Sequence, residues 1–227
     1  MNRQGAGKIE WTDYTINLIK GRCRLANEHP WCYAVGMYDR HGWNPDIRLD
    51  MRDFDAVEKL SMPAKIFVGS THEMFGDWVP SVWRRQIGWR MQGLPQHIFQ
   101  ILTELPENMH NDVNEFPPNV WVGVTVQSQD KCHRIDTLRT VKATVKFVSF
   151  EPLHGEIKTD LTGIDWIIIG AETGNRRERI KPNWRWVDSL IAQATVLKIP
   201  TFLKSNLEPY KPVMEMILHK EFPKVEN

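Results

Sequence analysis

Two cysteines and a histidine lie within ten residues of each other near the start of the chain. Cys23, His29 and Cys32 form a C-x5-H-x2-C pattern. Thiolate and imidazole groups are ligands that zinc and iron–sulfur clusters accept, so one interpretation of this spacing is a metal site. The other interpretation is two small buried thiols beside a structural histidine, because free cysteines often pack as apolar side chains.

Short apolar runs alternate with helical patterns along the chain, and this alternation predicts an α/β fold. The runs are nearly continuous rather than alternating, which is typical of parallel strands covered on both faces. Chemistry in such folds gathers in the loops at the carboxyl ends of the strands. The predicted strands are residues 16–20, 65–70, 97–103, 120–126, 145–149, 166–170 and 201–204, and the predicted helices are residues 55–61, 81–92, 128–141 and 183–197.

Composition limits the classes to which the chain can belong. The 227 residues carry a formal net charge of +1, so no global field favours a nucleic-acid or membrane partner. No apolar run approaches the roughly 20 residues that a membrane span needs, and no secretory signal precedes the first predicted strand. We therefore expect a cytoplasmic protein without a membrane partner. Three cysteines are too few for a disulfide framework, and we expect Cys132 to be an ordinary core or surface thiol.

Seven stretches resemble, in the same order, a family of phage- and bacterium-borne radical S-adenosylmethionine (SAM) proteins of unassigned function. The first stretch joins Lys8-Ile-Glu-Trp-Thr-Asp13 to a cysteine-bearing loop that ends in Cys32-Tyr-Ala. The other six are residues 66–71, 75–80, 96–103, 119–126, 147–152 and 165–172. The resemblance covers the chain from about Lys8 to Lys204.

This resemblance implies a fold, a chemistry and a set of cofactors. The fold would be a single-domain partial (β/α)6-type barrel over residues 1–227, with a core at 8–204 and a C-terminal extension at 205–227. The activity would be a radical SAM enzyme, in which a [4Fe-4S] cluster cleaves S-adenosyl-L-methionine and starts hydrogen abstraction on an unidentified substrate. An external electron donor would reduce the cluster, and a small molecule or nucleotide would be the substrate.

The resemblance also assigns roles to individual residues. Cys23 and Cys32 would be cluster ligands, with His29 in the position of the family's middle cysteine. Glu151 has two open interpretations, a hydrogen bond to substrate or SAM and the anchoring of a loop. The residues implied in SAM binding are Trp31 beside the adenine, Gly69, Ser70 and Thr71 at the methionyl turn, and Gly170 and Glu172 after the sixth predicted strand.

His29 is a departure from the family pattern, and three interpretations of it stay open. It would ligate an altered cluster, belong to a site for another metal, or mark a protein that has lost radical chemistry. The last interpretation gives an alternative function, a non-catalytic barrel that binds a nucleotide or nucleic acid.

Two further groups of polar residues fall in loops after predicted strands. The basic segment 175–181, with Arg185 nearby, would hold a phosphate or carboxylate through its guanidinium groups, or else form a solvated loop. His72 and Glu73 follow the second predicted strand and are candidate polar contacts.

Overall fold

The computed structural model describes residues 1–29, 31–111, 115–174, 176–212 and 218–224. The chain forms two compact units. The first comprises residues 1–121 with 141–144, and the second comprises residues 122–140 with 145–227.

The first unit is built on parallel strands. Strand β2 pairs in parallel with β5 and β5 with β6, while β1 is antiparallel to β2 and β3 pairs separately with β4. The strands are β1 (Asn2–Arg3), β2 (Tyr14–Ile16), β3 (Ile19–Lys20), β4 (Arg48–Leu49), β5 (Lys65–Val68) and β6 (Ile98–Thr103), and the α-helices are α1 (Tyr33–His41), α2 (Arg52–Val57) and α3 (Ser81–Gln92).

Burial of apolar side chains from both the strands and the helices forms the core of the first unit. Phe54 of α2 packs against Phe99 of β6, with ring centroids 5.9 Å apart. Helix α3 follows Pro80 and buries Ile87 and Met91, which are four residues apart and therefore share one helix face. Each such side chain contributes about 2 kcal/mol when it leaves water.

The second unit repeats the parallel arrangement. Strand β9 pairs in parallel with β8 and with β10, and the Val126 amide donates to the Ser149 carbonyl at 2.9 Å. Helix α5 is capped by Asn183, whose side chain accepts from the Arg185 amide. The elements are β7 (Val120–Thr125, of which residues 122–125 belong to this unit), α4 (His133–Thr140), β8 (Val145–Phe150), β9 (Trp166–Ile169), α5 (Trp184–Val196) and β10 (Thr201–Leu203).

The predicted α/β class with mostly parallel strands is confirmed. The partial barrel and the single domain over residues 1–227 stay predictions. The first predicted strand, residues 16–20, is interrupted in the structure. Strand β2 ends at Ile16, Asn17 turns its side-chain oxygen to the Thr71 amide at 3.0 Å, and β3 begins at Ile19. Within the described ranges no helix is both long enough and apolar enough to cross a membrane.

Candidate functional site

Buried ionisable side chains mark the candidate sites, because burying such a group is costly unless it is paired. Six His, Glu, Arg and Lys side chains of the described residues are buried. Five of them either follow the carboxyl end of a strand in their own unit or donate a hydrogen bond to a residue at such an end. Arg134, for example, lies on α4 but donates to the carbonyl of Thr125, the last residue of β7, at 2.7 Å. In the described part of the chain, the buried His, Glu, Arg and Lys side chains are His72, Glu73, Arg134, Glu172 and Lys204 at carboxyl ends, and His97 before β6.

Glu73 is the centre of the polar cluster in the first unit. Its Oε1 accepts from the Phe75 amide at 2.9 Å and the Thr103 hydroxyl at 2.6 Å, and its Oε2 accepts from the Glu104 amide at 2.9 Å. The residue is only 8% exposed. Neutral donors therefore hold this carboxylate. The first edge cluster consists of Cys23, His29, His72, Glu73, Thr103 and Glu104.

Burial dominates the protonation chemistry of this cluster. Burial raises the pKa of the Glu73 carboxyl above its ordinary value, although the three hydrogen bonds oppose the shift. The Glu73 amide donates to Cys23 Sγ at 3.5 Å, and burial raises the pKa of the Cys23 thiol as well. Cys23 is therefore a protonated thiol at neutral pH, which makes it a weak nucleophile.

His72 is held in one neutral tautomer by two neighbours. Its Nδ1 lies 3.2 Å from the Gly21 carbonyl, and the Trp78 indole Nε1 donates to its Nε2 at 3.0 Å. A ring nitrogen that accepts from an indole carries no proton, so Nδ1 is the donor. Burial lowers the pKa of His72, which agrees with a neutral ring.

The predicted metal ligands do not converge. His29 Nε2 lies 3.3 Å from Glu104 Oε2, and the His29 ring stacks on Trp31 with centroids 5.2 Å apart. Cys32 occupies the N-cap position of α1. Within the ranges that the structure describes, no three His, Cys, Asp or Glu side chains are grouped so as to hold a metal ion.

The predictions of a [4Fe-4S] cluster and of SAM as cofactors are therefore wrong. The C-x5-H-x2-C spacing suggested three ligands, but the described His, Cys, Asp and Glu side chains form no group of three that could hold a metal ion, and His29 lies against Glu104. SAM was expected as the molecule that the cluster cleaves, so the prediction of SAM as a cofactor fails together with that of the cluster.

The predicted methionyl turn forms, but its polar groups are used internally. Gly69 has a φ of 88°, a backbone conformation that favours glycine. The Ser70 hydroxyl and the Thr71 amide both donate to Asn17 Oδ1, at 3.2 and 3.0 Å. These bonds brace the turn against the end of β2. A ligand role for Gly69, Ser70, Thr71 or Trp31 stays a prediction.

A buried ion pair lies at the carboxyl ends of the strands in the second unit. The Lys204 ammonium, in a residue only 7% exposed, pairs with Glu151 Oε1. Asn206 Nδ2 lies 3.4 Å from the same oxygen. A Cβ on Gly170 would lie 2.8 Å from the Glu151 carboxyl carbon, so glycine is required for the carboxylate to reach this position. The second edge cluster consists of Glu151, His154, Glu172, Arg176, Lys204 and Asn206.

Glu172 holds the loop after β9 through a bidentate bond. Arg176 donates through Nε and Nη2 to the two carboxylate oxygens, each at 2.9 Å, and the Ile180 amide donates at 3.3 Å. His154 Nε2 lies 3.4 Å from the same carboxylate. Burial raises the pKa of Glu172, but Arg176 and the Ile180 amide lower it by more, so the pKa lies below its ordinary value. Burial lowers the pKa of His154.

Asn206 connects the two ion pairs of the second edge cluster. Its side chain accepts from the Ala171 amide at 3.0 Å and donates to the Ala171 carbonyl at 2.8 Å. Ala171 immediately precedes Glu172. The sequence analysis missed Lys204 and Asn206 as site residues. A signal was present, because Lys204 stands at the end of the last predicted strand, where parallel sheets place their chemistry.

The comparisons with known proteins identify a family and no activity. A family model described as "Protein of unknown function (DUF5131)" matches residues 6–216. No curated protein and no solved structure matches the chain.

Proposed function

We propose that this chain, which belongs to the family of proteins of unknown function (DUF5131), binds a nucleotide through the second edge cluster. The observation that carries the proposal is the pair between the buried Lys204 and the half-buried Glu151, which keeps a carboxylate oxygen available for a ligand. Glu151 would accept hydrogen bonds from the base or sugar, and the basic segment after Glu172 would contact the phosphates.

Glu151 has unused hydrogen-bonding capacity. Lys204 and Asn206 both contact its Oε1. A carboxylate offers about four acceptor sites over its two oxygens, so Oε2 can accept from a ligand. The Glu151 side chain is 20% exposed, which gives a ligand access while the ion pair stays largely dry. Sugar hydroxyls and base amino groups are donors of the kind that such an acidic side chain binds in nucleotide sites.

The basic segment supplies a complementary charge for phosphate. Residues 176–185 contain five Lys or Arg residues and one acidic residue, Glu178. Arg176 is committed to Glu172, whereas Arg177, Lys181 and Arg185 are exposed. A guanidinium group can donate two parallel hydrogen bonds to phosphate oxygens. The three exposed basic side chains are therefore suited to contact the phosphates of a nucleotide.

The test is isothermal titration with ATP, with adenosine and tripolyphosphate titrated separately to divide the contacts. We expect saturable ATP binding that weakens about tenfold or more in Glu151→Gln and in Lys204→Met. The matched control is Glu156→Gln, which removes an exposed carboxylate paired with Lys158 at 3.3 Å. This control should bind ATP as the wild type does.

Two results would overturn the proposal. One is an ATP affinity in Glu151→Gln equal to that of Glu156→Gln, and the other is no saturation by ATP up to millimolar concentration. A single-stranded oligonucleotide is titrated in parallel. Tight oligonucleotide binding without ATP binding would replace the nucleotide by nucleic acid, and it would count against Glu151 as the acceptor.

A further inference from the structure

We propose that a cavity beneath helix α3 binds a small apolar molecule with one negative charge, of the class of medium-chain carboxylates. The cavity has a volume of about 230 Å³ and lies wholly within the first unit. This site is separate from the second edge cluster and does not depend on the proposed nucleotide binding. Its walls include Met74, Phe75, Met91, Ile101, Phe116 and Trp89.

The interior of the cavity is apolar, and its charges lie at the rim. Met74, Phe75, Met91 and Phe116 are all buried, whereas Arg85 is exposed. Apolar walls with a few polar groups are typical of sites that bind small molecules. At about 30 Å³ for each water-sized group, the cavity holds roughly eight non-hydrogen atoms. That size matches a short acyl chain and is too small for a folded segment.

Gly88 is an independent reason to assign a ligand to this cavity. It lies inside α3, where glycine is a poorer helix former than alanine, and its φ is not in the left-handed region. A Cβ added at Gly88 would meet no atom within 4 Å. Packing and backbone conformation therefore do not require glycine here. Because Gly88 lines the cavity, its missing side chain leaves that wall open.

The charge at the rim favours an anion. The charged residues that line the cavity are Arg84, Arg85 and Glu115, so the lining carries a net charge of +1. Arg84 is fixed by the carbonyl of Gly76 at 3.3 Å and that of Val79 at 2.6 Å. The Arg85 bond to the Ser81 hydroxyl, at 3.1 Å, uses one of five guanidinium donors. Arg85 can therefore receive a carboxylate at the mouth of the cavity while an apolar tail lies inside.

The experiment is titration of the full chain with octanoate, followed by calorimetry and by tryptophan fluorescence. The contribution of Trp89, which lines the cavity and is 76% exposed, is identified by comparison with Trp89→Phe. We expect saturable binding of one octanoate per chain. The neutral analogue 1-octanol should bind roughly fivefold more weakly, as expected for loss of an exposed ion pair. In Arg85→Gln the two ligands should bind equally.

A variant that fills the cavity with a larger side chain tests whether the apolar tail of the ligand lies there. Gly88→Leu should weaken octanoate binding by more than about tenfold, because close-packed interiors leave no second space for the tail. The matched control is Gly36→Leu on α1, where an added Cβ also meets no atom within 4 Å. Gly88→Ala should raise the melting temperature by about 2 °C, which shows that the helix accepts a side chain there.

The inference would be overturned if Gly88→Leu bound octanoate as Gly36→Leu does. It would also be overturned if neither octanoate nor 1-octanol gave saturable binding to the wild type at millimolar concentration. Circular dichroism of each variant separates a filled cavity from a misfolded chain. A misfolded Gly88→Leu is replaced by Gly88→Ala, whose smaller side chain should weaken octanoate binding by about threefold.

Discussion

The two edge clusters hold their buried carboxylates by different means. In the first unit, Glu73 accepts two amides and a hydroxyl, and no cation contacts it among the described residues. In the second unit, Glu172 is bound by Arg176 and Glu151 by Lys204. As a result the pKa of Glu73 is raised by burial, whereas the pKa of Glu172 is lowered by its cation.

This difference shows why a ligand is assigned to the second cluster. Both oxygens of Glu73 are used by the loops that follow β5 and β6, so that carboxylate acts as a brace. Glu151 instead is held at one oxygen and keeps the other for a partner from outside. Arg176 beside Glu172 also keeps that carboxylate charged at neutral pH, because it lowers the pKa of Glu172.

The largest expected effect comes from removing a cation from the second cluster. Arg176→Met should lower the free energy of unfolding by about 3 kcal/mol, because it leaves the Glu172 carboxylate buried without its counter-ion. Urea unfolding measures the change. The matched control is the exposed neighbour Arg177→Met, which should change stability by less than about 0.5 kcal/mol.

A double variant tests whether the cost arises from the unpaired charge. Glu172→Gln combined with Arg176→Met should be more stable than Arg176→Met alone, because no buried charge is then left uncompensated. Equal losses in Arg176→Met and Arg177→Met would mean that the two clusters do not differ in the way described.

The response to acid should have opposite signs in the two clusters. The pKa of Glu73 is raised in the folded state. Its unfavourable contribution to the free energy of unfolding is therefore absent below the ordinary pKa of 4.5 and grows as the pH rises through the folded pKa. The folded pKa of Glu172 is lowered, so its favourable contribution is present above 4.5 and is lost as pH falls through the folded pKa.

Glutamine variants isolate each contribution, because glutamine does not titrate. As the pH falls towards 4.5, the wild type should gain stability relative to Glu73→Gln. Below pH 4.5, it should lose stability relative to Glu172→Gln. Each slope is limited to about 1.4 kcal/mol per pH unit, the value for one proton. Slopes of the same sign in both comparisons would contradict the assigned pKa directions.

The positions of helices and strands could be predicted from the sequence better than the side-chain contacts at the carboxyl ends of the strands. Predicted helix 81–92 coincides with α3, and strand 166–170 differs from β9 by one residue, because apolar periodicity reports burial along a single element. The contact between Lys204 and Glu151 joins residues 53 positions apart. No local pattern encodes such a pair. In the same way, the spacing of Cys23, His29 and Cys32 could not predict that Glu104 contacts His29.

The smallest expected effect comes from removing the hydrogen bond that Trp78 donates to His72 in the first edge cluster. If neutral hydrogen bonds alone hold that cluster, then Trp78→Phe removes one bond to His72 and should cost only about 1 kcal/mol. It should also raise the pKa of His72, because the indole N–H occupies Nε2 and a proton can bind there only if that bond is broken. Nuclear magnetic resonance of the His72 ring measures the shift, with Trp43→Phe, at a residue 44% exposed, as the control. An unchanged His72 pKa in Trp78→Phe would mean that burial by itself keeps the ring neutral. The first cluster would then differ from the second in its exclusion of solvent rather than in the hydrogen-bond donors it supplies.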